Sequence, residues 1–243
     1  MTQIVYGINV VAQLLKGEET IHELLLMKGW KDQQIVRMAN QRQIPIRWLT
    51  RAQLDAKVKD PHHQGIAARI DAVRTYSIEE LLAAVPKDRH GLFAVEVLDE
   101  LEDPHNLGAI LRSCDAVGVD GVIIGKHRSV SLTPTVAKVS TGAIHTVKVS
   151  VVTNLAQTLQ QLKEQGYWVV GADRENAQDY RTASYDVPLV LVIGSEGFGL
   201  RPLVKKQCDY FVSLPMVGKV NSLNASVACA ILLYKIYEQR NPL

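Results

Sequence analysis

The chain has 243 residues, of which 47% are hydrophobic and 6% aromatic, and its formal net charge is +2. This composition is typical of a globular protein with a hydrophobic core, and it excludes a polybasic tail protein. Three cysteines without a C-x-x-C spacing argue against a disulfide framework and a zinc site, and they predict free thiols in a reducing compartment.

The distribution of apolar residues disfavours two further classes. No amino-terminal stretch has the charged and apolar order of a signal peptide. The apolar runs also fall short of the roughly 18 residues that a membrane-spanning helix needs. We therefore expect a cytoplasmic protein without a membrane partner.

Residues 1–72 are predicted to form a small α/β domain. Apolar periodicity indicates helices at residues 8–16, 32–43 and 51–58 and strands at residues 21–27, 45–49 and 65–70. Eleven basic against seven acidic residues up to Arg74 leave an excess of +4, so the remainder of the chain carries −2. That excess suits contact with an RNA backbone, although a solvated surface explains it almost as well. The pair His62-His63 has no third metal ligand near it in sequence and is predicted to lie in a polar loop.

Residues 73–90 are predicted to be a linker, because one short helix is flanked there by polar and turn-forming residues. Residues 91–243 form the second predicted domain. Strand-like apolar runs lie at residues 92–98, 121–124, 145–149, 167–171, 187–193 and 210–214, with helical periodicity between most of them. This alternation predicts a mostly parallel sheet with helices on both faces.

Ligands of such sheets bind beyond the carboxyl ends of the strands. The loops that follow Leu98, Ile193 and Leu214 should therefore meet at one edge of the sheet. Pattern alone indicates a Rossmann-like fold. However, the glycines at 194, 197 and 199 have the order G-x-x-G-x-G, whereas the dinucleotide fingerprint requires G-x-G-x-x-G.

A polar helix start follows the last of these strands. Gly218, Asn221, Ser222 and Asn224 precede an apolar helix, and the free N–H groups at a helix start attract anionic or polar ligands. A simpler interpretation is a Ser or Asn N-cap on a core helix. This segment alone does not decide between the two.

Three segments together give the most specific signal in the chain. They are Asn106-x-Gly108 followed by Arg112, then Gly194-Ser-Glu196-Gly197-x-Gly199, and finally Ser222-Leu-Asn224-x-Ser226-Val-Ala. In this order they resemble motifs one, two and three of the SpoU (TrmH-type) branch of the SPOUT methyltransferases. The resemblance extends from about Gly91 to the end of the chain.

The resemblance implies a fold that pattern alone would not predict. SPOUT domains carry a deep C-terminal trefoil knot, and motifs two and three form the cofactor pocket within it. In SpoU-type rRNA enzymes the preceding domain resembles ribosomal protein L30e and binds the RNA substrate. The stretches Tyr6-Gly7-x-Asn9 and His63-Gln64-Gly65 look like parts of such an L30e-like domain.

The resemblance also implies a reaction, which is methyl transfer from S-adenosylmethionine to a ribose 2′-hydroxyl of RNA without a metal ion. The residues that it assigns to cofactor binding, mostly through main-chain groups, are Gly194, Leu214, Met216 and Leu223. The residues that it assigns to the catalytic site are Arg112, Asn106, Glu196, Ser222 and Asn224.

Arg112 is the residue on which we expect the reaction to depend most. On a helical wheel it points away from an apolar stripe made by Leu107, Ile110, Leu111, Cys114 and Val117. Without the motif it would therefore be a solvated side chain. A guanidinium stays protonated in proteins. We therefore predict that Arg112 stabilises a developing alkoxide and holds a phosphate. Asn106 and Glu196 are expected to support it, and Asn106 is alternatively a helix N-cap after Pro104.

The expected partners are RNA and a second copy of the chain. The two-domain layout most resembles bacterial 23S rRNA guanosine-2′-O-methyltransferases, and SPOUT enzymes are usually homodimers with sites at the interface. We expect residues 222–238 to contribute to that interface. Three alternatives stay open: a tRNA guanosine 2′-O-methyltransferase, which would generally lack the first domain, a non-catalytic RNA-binding protein, and a nucleotide-dependent Rossmann-type enzyme.

Overall fold

The computed structural model describes residues 2–17, 20–58, 61–88, 90–96, 104–126, 132–194, 199–219 and 222–242. Contacts divide the chain into two compact units. The first unit is Met1–Val73 with Thr133–Thr135, and the second is Arg74–Leu132 with Val136–Leu243. Within the described residues, no helix has both the length and the apolar character needed to cross a membrane.

The first unit is a mixed four-stranded sheet with helices on both faces. Its strands are β1 (Thr2–Tyr6), β2 (Ile21–Met27), β3 (Ile46–Leu49) and β4 (Ile66–Asp71), in the order β1-β4-β2-β3. Its helices are α1 (Ile8–Lys16), α2 (Gln33–Gln41) and α3 (Arg51–Val58). The sequence pattern did not predict β1, which pairs with β4 in antiparallel register.

The core of the first unit follows from the alternation of side chains along β2. Successive side chains of a strand point to opposite faces. Leu24 and Leu26 therefore pack in the cluster that includes Leu14 of α1 and Ile35 of α2, while Leu25 packs with Leu54 of α3.

The second unit contains a seven-stranded sheet in which every pair is parallel. Its strands are β5 (Leu92–Glu96), β6 (Gly121–Gly125), β7 (Val149–Val152), β8 (Trp168–Ala172), β9 (Gln178–Asp179), β10 (Leu189–Ile193) and β11 (Tyr210–Ser213). Their order is β7-β6-β5-β10-β8-β11-β9. The predicted parallel sheet is thereby confirmed.

Helices cover both faces of this sheet. The helices that follow the first unit along the chain are α4 (Ile78–Ala83), α5 (Pro104–Val117), α6 (Pro134–Val139), α7 (Ala143–Thr146), α8 (Leu155–Glu164), α9 (Pro202–Lys205) and α10 (Ala225–Arg240). Val190 and Val192 pack with residues of α4, α8 and α9 on one face. On the opposite face, α5 and α10 contact each other and reach β6 and β10.

The stretch 74–90, for which a linker was predicted, lies in the second unit. Helix α4 begins with a capping box, in which the Ser77 hydroxyl accepts the Glu80 N–H and the Glu80 carboxylate accepts the Ser77 N–H. Leu81 is completely buried in the cluster that contains Phe93. The helix is thus anchored to the sheet by its apolar side.

The predicted strand at residues 145–149 is wrong. Residues Ala143–Thr146 form the short helix α7, and the strand runs instead over Val149–Val152. The chain turns before α7 through Thr141 (φ 49°) and Gly142 (φ 94°), and the Ser140 hydroxyl accepts the Ile144 N–H. These local hydrogen bonds stabilise a helical turn where the apolar pattern alone favoured a strand.

Candidate active site

The carboxyl ends of β8, β10 and β11 lie side by side. Ala172 at the end of β8 pairs with Ile193 of β10 and with Val212 of β11. The chain segments that leave these strands at Asp173, Gly194 and Leu214 therefore begin next to one another. Two of them are the segments of motifs two and three, so the predicted meeting of these motif loops at one sheet edge is confirmed.

A pocket opens at this edge of the sheet. It is open to solvent on one side, and its concave, mostly apolar character is typical of small-molecule sites. Its walls are mostly apolar and come from the three strand ends and the start of α10. Five residues predicted for the site line it, namely Gly194, Leu214, Met216, Leu223 and Ser222. The geometry brings them together, and their individual roles stay predictions.

Gly194 cannot be replaced without moving backbone. A Cβ built at this position would lie 2.4 Å from the carbonyl carbon of Gly199 and 2.5 Å from its oxygen. Gly199 itself has φ +65°, which favours glycine. Motif two therefore needs these glycines because the backbone of Gly199 lies directly against Gly194. Glu196 of the same motif lies outside the described residues.

Motifs one and three are joined by a hydrogen bond between two asparagines. The Asn224 Nδ2 donates to Asn106 Oδ1 over 2.9 Å, and Asn106 is 5% exposed. Asn224 is also the N-cap of α10, because its Oδ1 accepts the N–H groups of Ser226 and Val227. The N-cap interpretation of this helix start is correct, and the same side chain also reaches motif one.

Asn106 is not the N-cap of α5. The helix begins at Pro104, so Asn106 lies within the first turn and is buried. Gly108, two residues later, is buried against the carboxyl end of α6, where a Cβ would lie 2.6 Å from Val139 Cβ and 3.1 Å from the Ser140 nitrogen. The asparagine and the glycine of motif one thus both have packing roles.

Arg112 lies on the exposed side of α5. Of the predicted apolar stripe, Val117 is half-buried, and the other four residues, Leu107, Ile110, Leu111 and Cys114, are buried. Their burial turns Arg112 outward. Within the described part of the chain, its guanidinium makes no hydrogen bond or ion pair, and it is not among the residues that line the pocket. The structure therefore places Arg112 on the surface, apart from the pocket-lining set.

The sequence analysis did not identify a partly buried ion pair at the edge of the pocket. Asp173 lines the pocket directly, and Lys205 of α9 lies 2.7 Å from Asp173 Oδ2. A signal was present, because an acidic residue directly follows the apolar run of β8. This acidic residue could be assigned to the pocket only if β8 were known to lie beside β10, and the sequence pattern did not predict that order.

The polar loop predicted around His63 has a structural role in the first unit. His63 is buried, its Nε2 lies 2.7 Å from Asp55 Oδ1, and its Nδ1 accepts the Gly65 N–H. Gln64 has φ 56°, and its Oε1 accepts the Ile8 N–H at the start of α1. The described residues contain no group of three or more His, Cys, Asp or Glu side chains placed to hold a metal.

Comparison with known proteins shows the family to which the chain belongs. A model of the SpoU rRNA Methylase family matches residues 94–234, and a model described as RNA 2′-O ribose methyltransferase substrate binding matches residues 4–76. The chain belongs to the SpoU methyltransferase family. The resemblance inferred from the three motifs is thereby confirmed.

Relatives of this SpoU chain match it over nearly its whole length. A Staphylococcus haemolyticus protein assigned to the TrmH family of tRNA/rRNA methyltransferases is 47% identical over 241 residues, 98% of this chain and 96% of that protein. The SpoU methyltransferase AviRb from Streptomyces viridochromogenes, solved with AdoMet, has a TM-score of 0.62 at 22% identity, covering 98% of this chain and 90% of that one. The A. aeolicus TrmH/SpoU tRNA modifying enzyme is 32% identical, with a TM-score of 0.54, over 66% of this chain and 79% of its own.

These likenesses confirm the expected fold. The second unit has the SPOUT architecture, and the trefoil knot is implied by that fold. The first unit is the amino-terminal substrate-binding domain that precedes it in the family.

Proposed function

We propose that this RNA methyltransferase transfers the methyl group of S-adenosylmethionine to a ribose 2′-hydroxyl, and that its target is a guanosine of 23S rRNA. The observation that carries the proposal is the convergence of the motifs. Motif two and motif three residues line one pocket, and the bond between Asn106 and Asn224 ties motif one to the same helix start.

The pocket suits the proposed cofactor. Ala172, Ile193, Val212 and Leu232 offer an apolar surface for an adenine ring. Gly194 lets backbone approach a ligand where no side chain fits. We assign cofactor binding to Gly194, Leu214, Met216 and Leu223. The sulfonium of the cofactor supplies a methyl group that is already activated. The chain therefore has to align the ribose 2′-hydroxyl with that methyl group and assist removal of the hydroxyl proton.

Arg112 is proposed to act on the acceptor side of the reaction. A guanidinium stays protonated in proteins, so its contribution is to stabilise negative charge developing on the 2′-oxygen and to hold a neighbouring phosphate. Ser222 and Asn224 are proposed to line the acceptor side of the pocket from the start of α10. Glu196 keeps its predicted supporting role.

A homodimer would explain why Arg112 lies apart from the pocket of its own protomer. Val227, Ile231, Tyr234 and Tyr237 are exposed along α10 at spacings of four, three and three residues, which place them on one side of the helix. An exposed apolar surface of this kind marks an interaction site. We propose that a second copy covers it, and that residues from both copies complete the site.

RNA is proposed to bind the first unit at the edge where β1, β2 and β3 end and β4 begins. Backbone hydrogen bonds join the strand ends there, because the N–H groups of Gly7, Met27 and Lys28 donate to the carbonyls of Ile66, Gly65 and Leu49, respectively. The adjoining loops therefore meet at this edge. Exposed Lys28 and Lys31 lie in one of these loops, and exposed Arg51 is the first residue of α3, close after the end of β3. Cations clustered at one edge suit the phosphates of a folded RNA.

The presence of the first unit supports rRNA over tRNA as the target. The A. aeolicus tRNA modifying enzyme matches only 66% of this chain, whereas the family model for substrate binding covers residues 4–76 here. A tRNA guanosine methyltransferase remains the second candidate, and a non-catalytic RNA-binding protein the third.

The test is a methyl-transfer assay with labelled S-adenosylmethionine, offered separately unmodified 23S rRNA and unmodified tRNA. Arg112→Ala is compared with Lys206→Ala, which removes an exposed cation elsewhere on the second unit. We expect label at one ribose 2′-oxygen of 23S rRNA, lost in Arg112→Ala and retained in Lys206→Ala. Label in tRNA alone would overturn the substrate. Absence of both label and cofactor binding would leave the RNA-binding candidate.

A further inference from the structure

Asp173 lies where β8 ends, next to the strand that leads into motif two. Because Ala172 pairs with Ile193, the following residues Asp173 and Gly194 lie side by side at the sheet edge, and both line the pocket. The Asp173 N–H donates to the Val212 carbonyl of β11. The residue is therefore fixed between the three strands that form the base of the pocket.

The carboxylate of Asp173 is held by defined contacts. Its Oδ1 accepts the N–H groups of Arg174 (2.7 Å) and Glu175 (3.2 Å), and the Lys205 ammonium lies 2.7 Å from Oδ2. The side chain is only 10% exposed. Burial raises the pKa of the Asp173 carboxyl, but the contacts with Lys205 and the two N–H groups outweigh burial and lower it. The group is thus ionised at neutral pH.

Asp173 still has capacity for a ligand. An ionised carboxylate offers about four acceptor positions, and the contacts above occupy three of them. Among the described residues that line the pocket, Asp173 supplies the carboxylate and Arg174 the formal positive charge. A buried acceptor facing an otherwise apolar pocket points to a hydrogen-bond donor on the ligand.

A ribose hydroxyl fits this acceptor better than an ammonium group does. Lys205 already balances the charge of Asp173, so a further cation gains little, whereas a neutral hydroxyl needs only an acceptor. In dinucleotide-binding sheets, an acidic residue at a strand end accepts ribose hydroxyls beside a glycine-rich loop. Asp173 and Gly194 stand in that relation here, although the order of the glycines differs.

We propose that Asp173 is a cofactor-specificity residue that accepts a hydrogen bond from a ribose hydroxyl of S-adenosylmethionine, and that Lys205 positions its carboxylate. The inference rests on the proposed function in one respect, since the pocket must be the cofactor site. It adds a residue outside the three motifs to that site.

Isothermal titration of the full chain with S-adenosylmethionine and S-adenosylhomocysteine tests the proposal. Asp173→Ala should bind both at least about tenfold more weakly than the wild type, because one hydrogen bond to a charged group is lost. Lys205→Met should weaken binding less, because the carboxylate stays but loses its orientation. Glu164→Gln is the matched control, since it removes one negative charge from an exposed side chain of α8 away from the pocket, and it should bind like the wild type.

Analogues of S-adenosylhomocysteine that lack the 2′- or the 3′-hydroxyl identify the group that Asp173 recognises. Wild type should lose about tenfold in affinity for one of them, and Asp173→Ala should lose nothing further. Equal losses of affinity in both proteins would overturn the proposal. It would also be overturned if the two proteins differed instead in how much affinity they lose for an analogue that lacks the amino group. Should Asp173→Ala fail to fold, Asp173→Leu supplies the same comparison, because its side chain has a similar size and no acceptor.

The two proposals fail in different ways. If the wild type binds neither cofactor nor product, the proposed function fails. If the wild type binds both and Asp173→Ala binds them equally well, only the inference about Asp173 fails.

Discussion

Asn224 donates a hydrogen bond of 2.9 Å to Asn106, a residue 118 positions earlier in the chain. The same Asn224 side chain caps α10 through the N–H groups of Ser226 and Val227. One amide therefore fixes the start of α10, which borders the pocket, and connects it to the buried first turn of α5.

Replacing Asn224 by Ala should destabilise the second unit more than loss of a cap alone. The lost cap costs about 1 kcal/mol, and the lost hydrogen bond to the buried Asn106 side chain costs about 0.5–1.5 kcal/mol more. Urea unfolding of Asn224→Ala measures the sum. Asn154→Ala is the control, because the Asn154 side chain accepts the Gln157 N–H as the cap of α8. Equal losses in the two variants would contradict a role for the bond to Asn106.

Gly194→Ala should weaken cofactor binding, whereas Gly218 should tolerate the same change. The added Cβ would meet the Gly199 backbone at 2.4 Å, so the motif two loop must move and the pocket wall with it. We expect affinity for S-adenosylmethionine to fall by at least about a factor of ten, or 1.4 kcal/mol. At Gly218 a Cβ meets nothing within 4 Å, so Gly218→Ala should bind normally. Unchanged binding by Gly194→Ala would show that the loop is not part of the cofactor site.

The contact between Asp173 and Lys205 predicts how stability depends on pH. The pKa of Asp173 is lowered by its contacts, chiefly Lys205, against an opposing effect of burial, so this carboxylate stabilises the fold above its ordinary pKa of 3.8. That stabilisation is lost as pH falls through the lower folded-state pKa. The pKa of Lys205 is raised, first by Asp173, so its contribution is present below the ordinary value of 10.5 and is lost as pH rises through the raised value.

Thermal unfolding of wild type and Lys205→Met across pH tests this dependence. The difference in stability should be constant at neutral pH and should shrink both at acidic pH, where Asp173 is protonated, and at strongly alkaline pH, where Lys205 is deprotonated. Lys206→Met, on the adjacent exposed residue, is the control and should follow the wild type throughout. A difference that does not change with pH would mean that Lys205 acts through packing rather than charge.

An acidic substitution on the exposed side of α10 should dissociate the proposed dimer. Ile231→Asp places a charge among Val227, Tyr234 and Tyr237, and burying that charge against a second copy is costly. Light scattering after size exclusion should change from dimer mass to monomer mass. Leu203→Asp is the control, because Leu203 is 67% exposed on the short helix α9. A wild-type chain that elutes as a monomer would contradict the dimer directly.

Local features were determined by the sequence itself. The burial of Leu107, Ile110 and Leu111 on α5 follows from helical spacing, since residues three and four apart share one face of a helix. The parallel sheet follows from alternating strands and helices. The resemblance of three segments to the SpoU motifs also indicated part of the pocket lining, including Gly194, Leu214 and Leu223. Each of these inferences uses neighbours within a few residues of one another or a shared motif.

Only the tertiary structure decided which distant segments lie together. The order of strands placed β8 beside β10, and this order gave Asp173 its position next to Gly194. The bond between Asn106 and Asn224 depends on α5 packing against α10. Local apolar pattern also failed at residues 145–149, where side-chain hydrogen bonds favoured α7. Periodicity records which face of an element is buried, but it does not record the partner against which that face is buried, because many partners offer the same apolar surface.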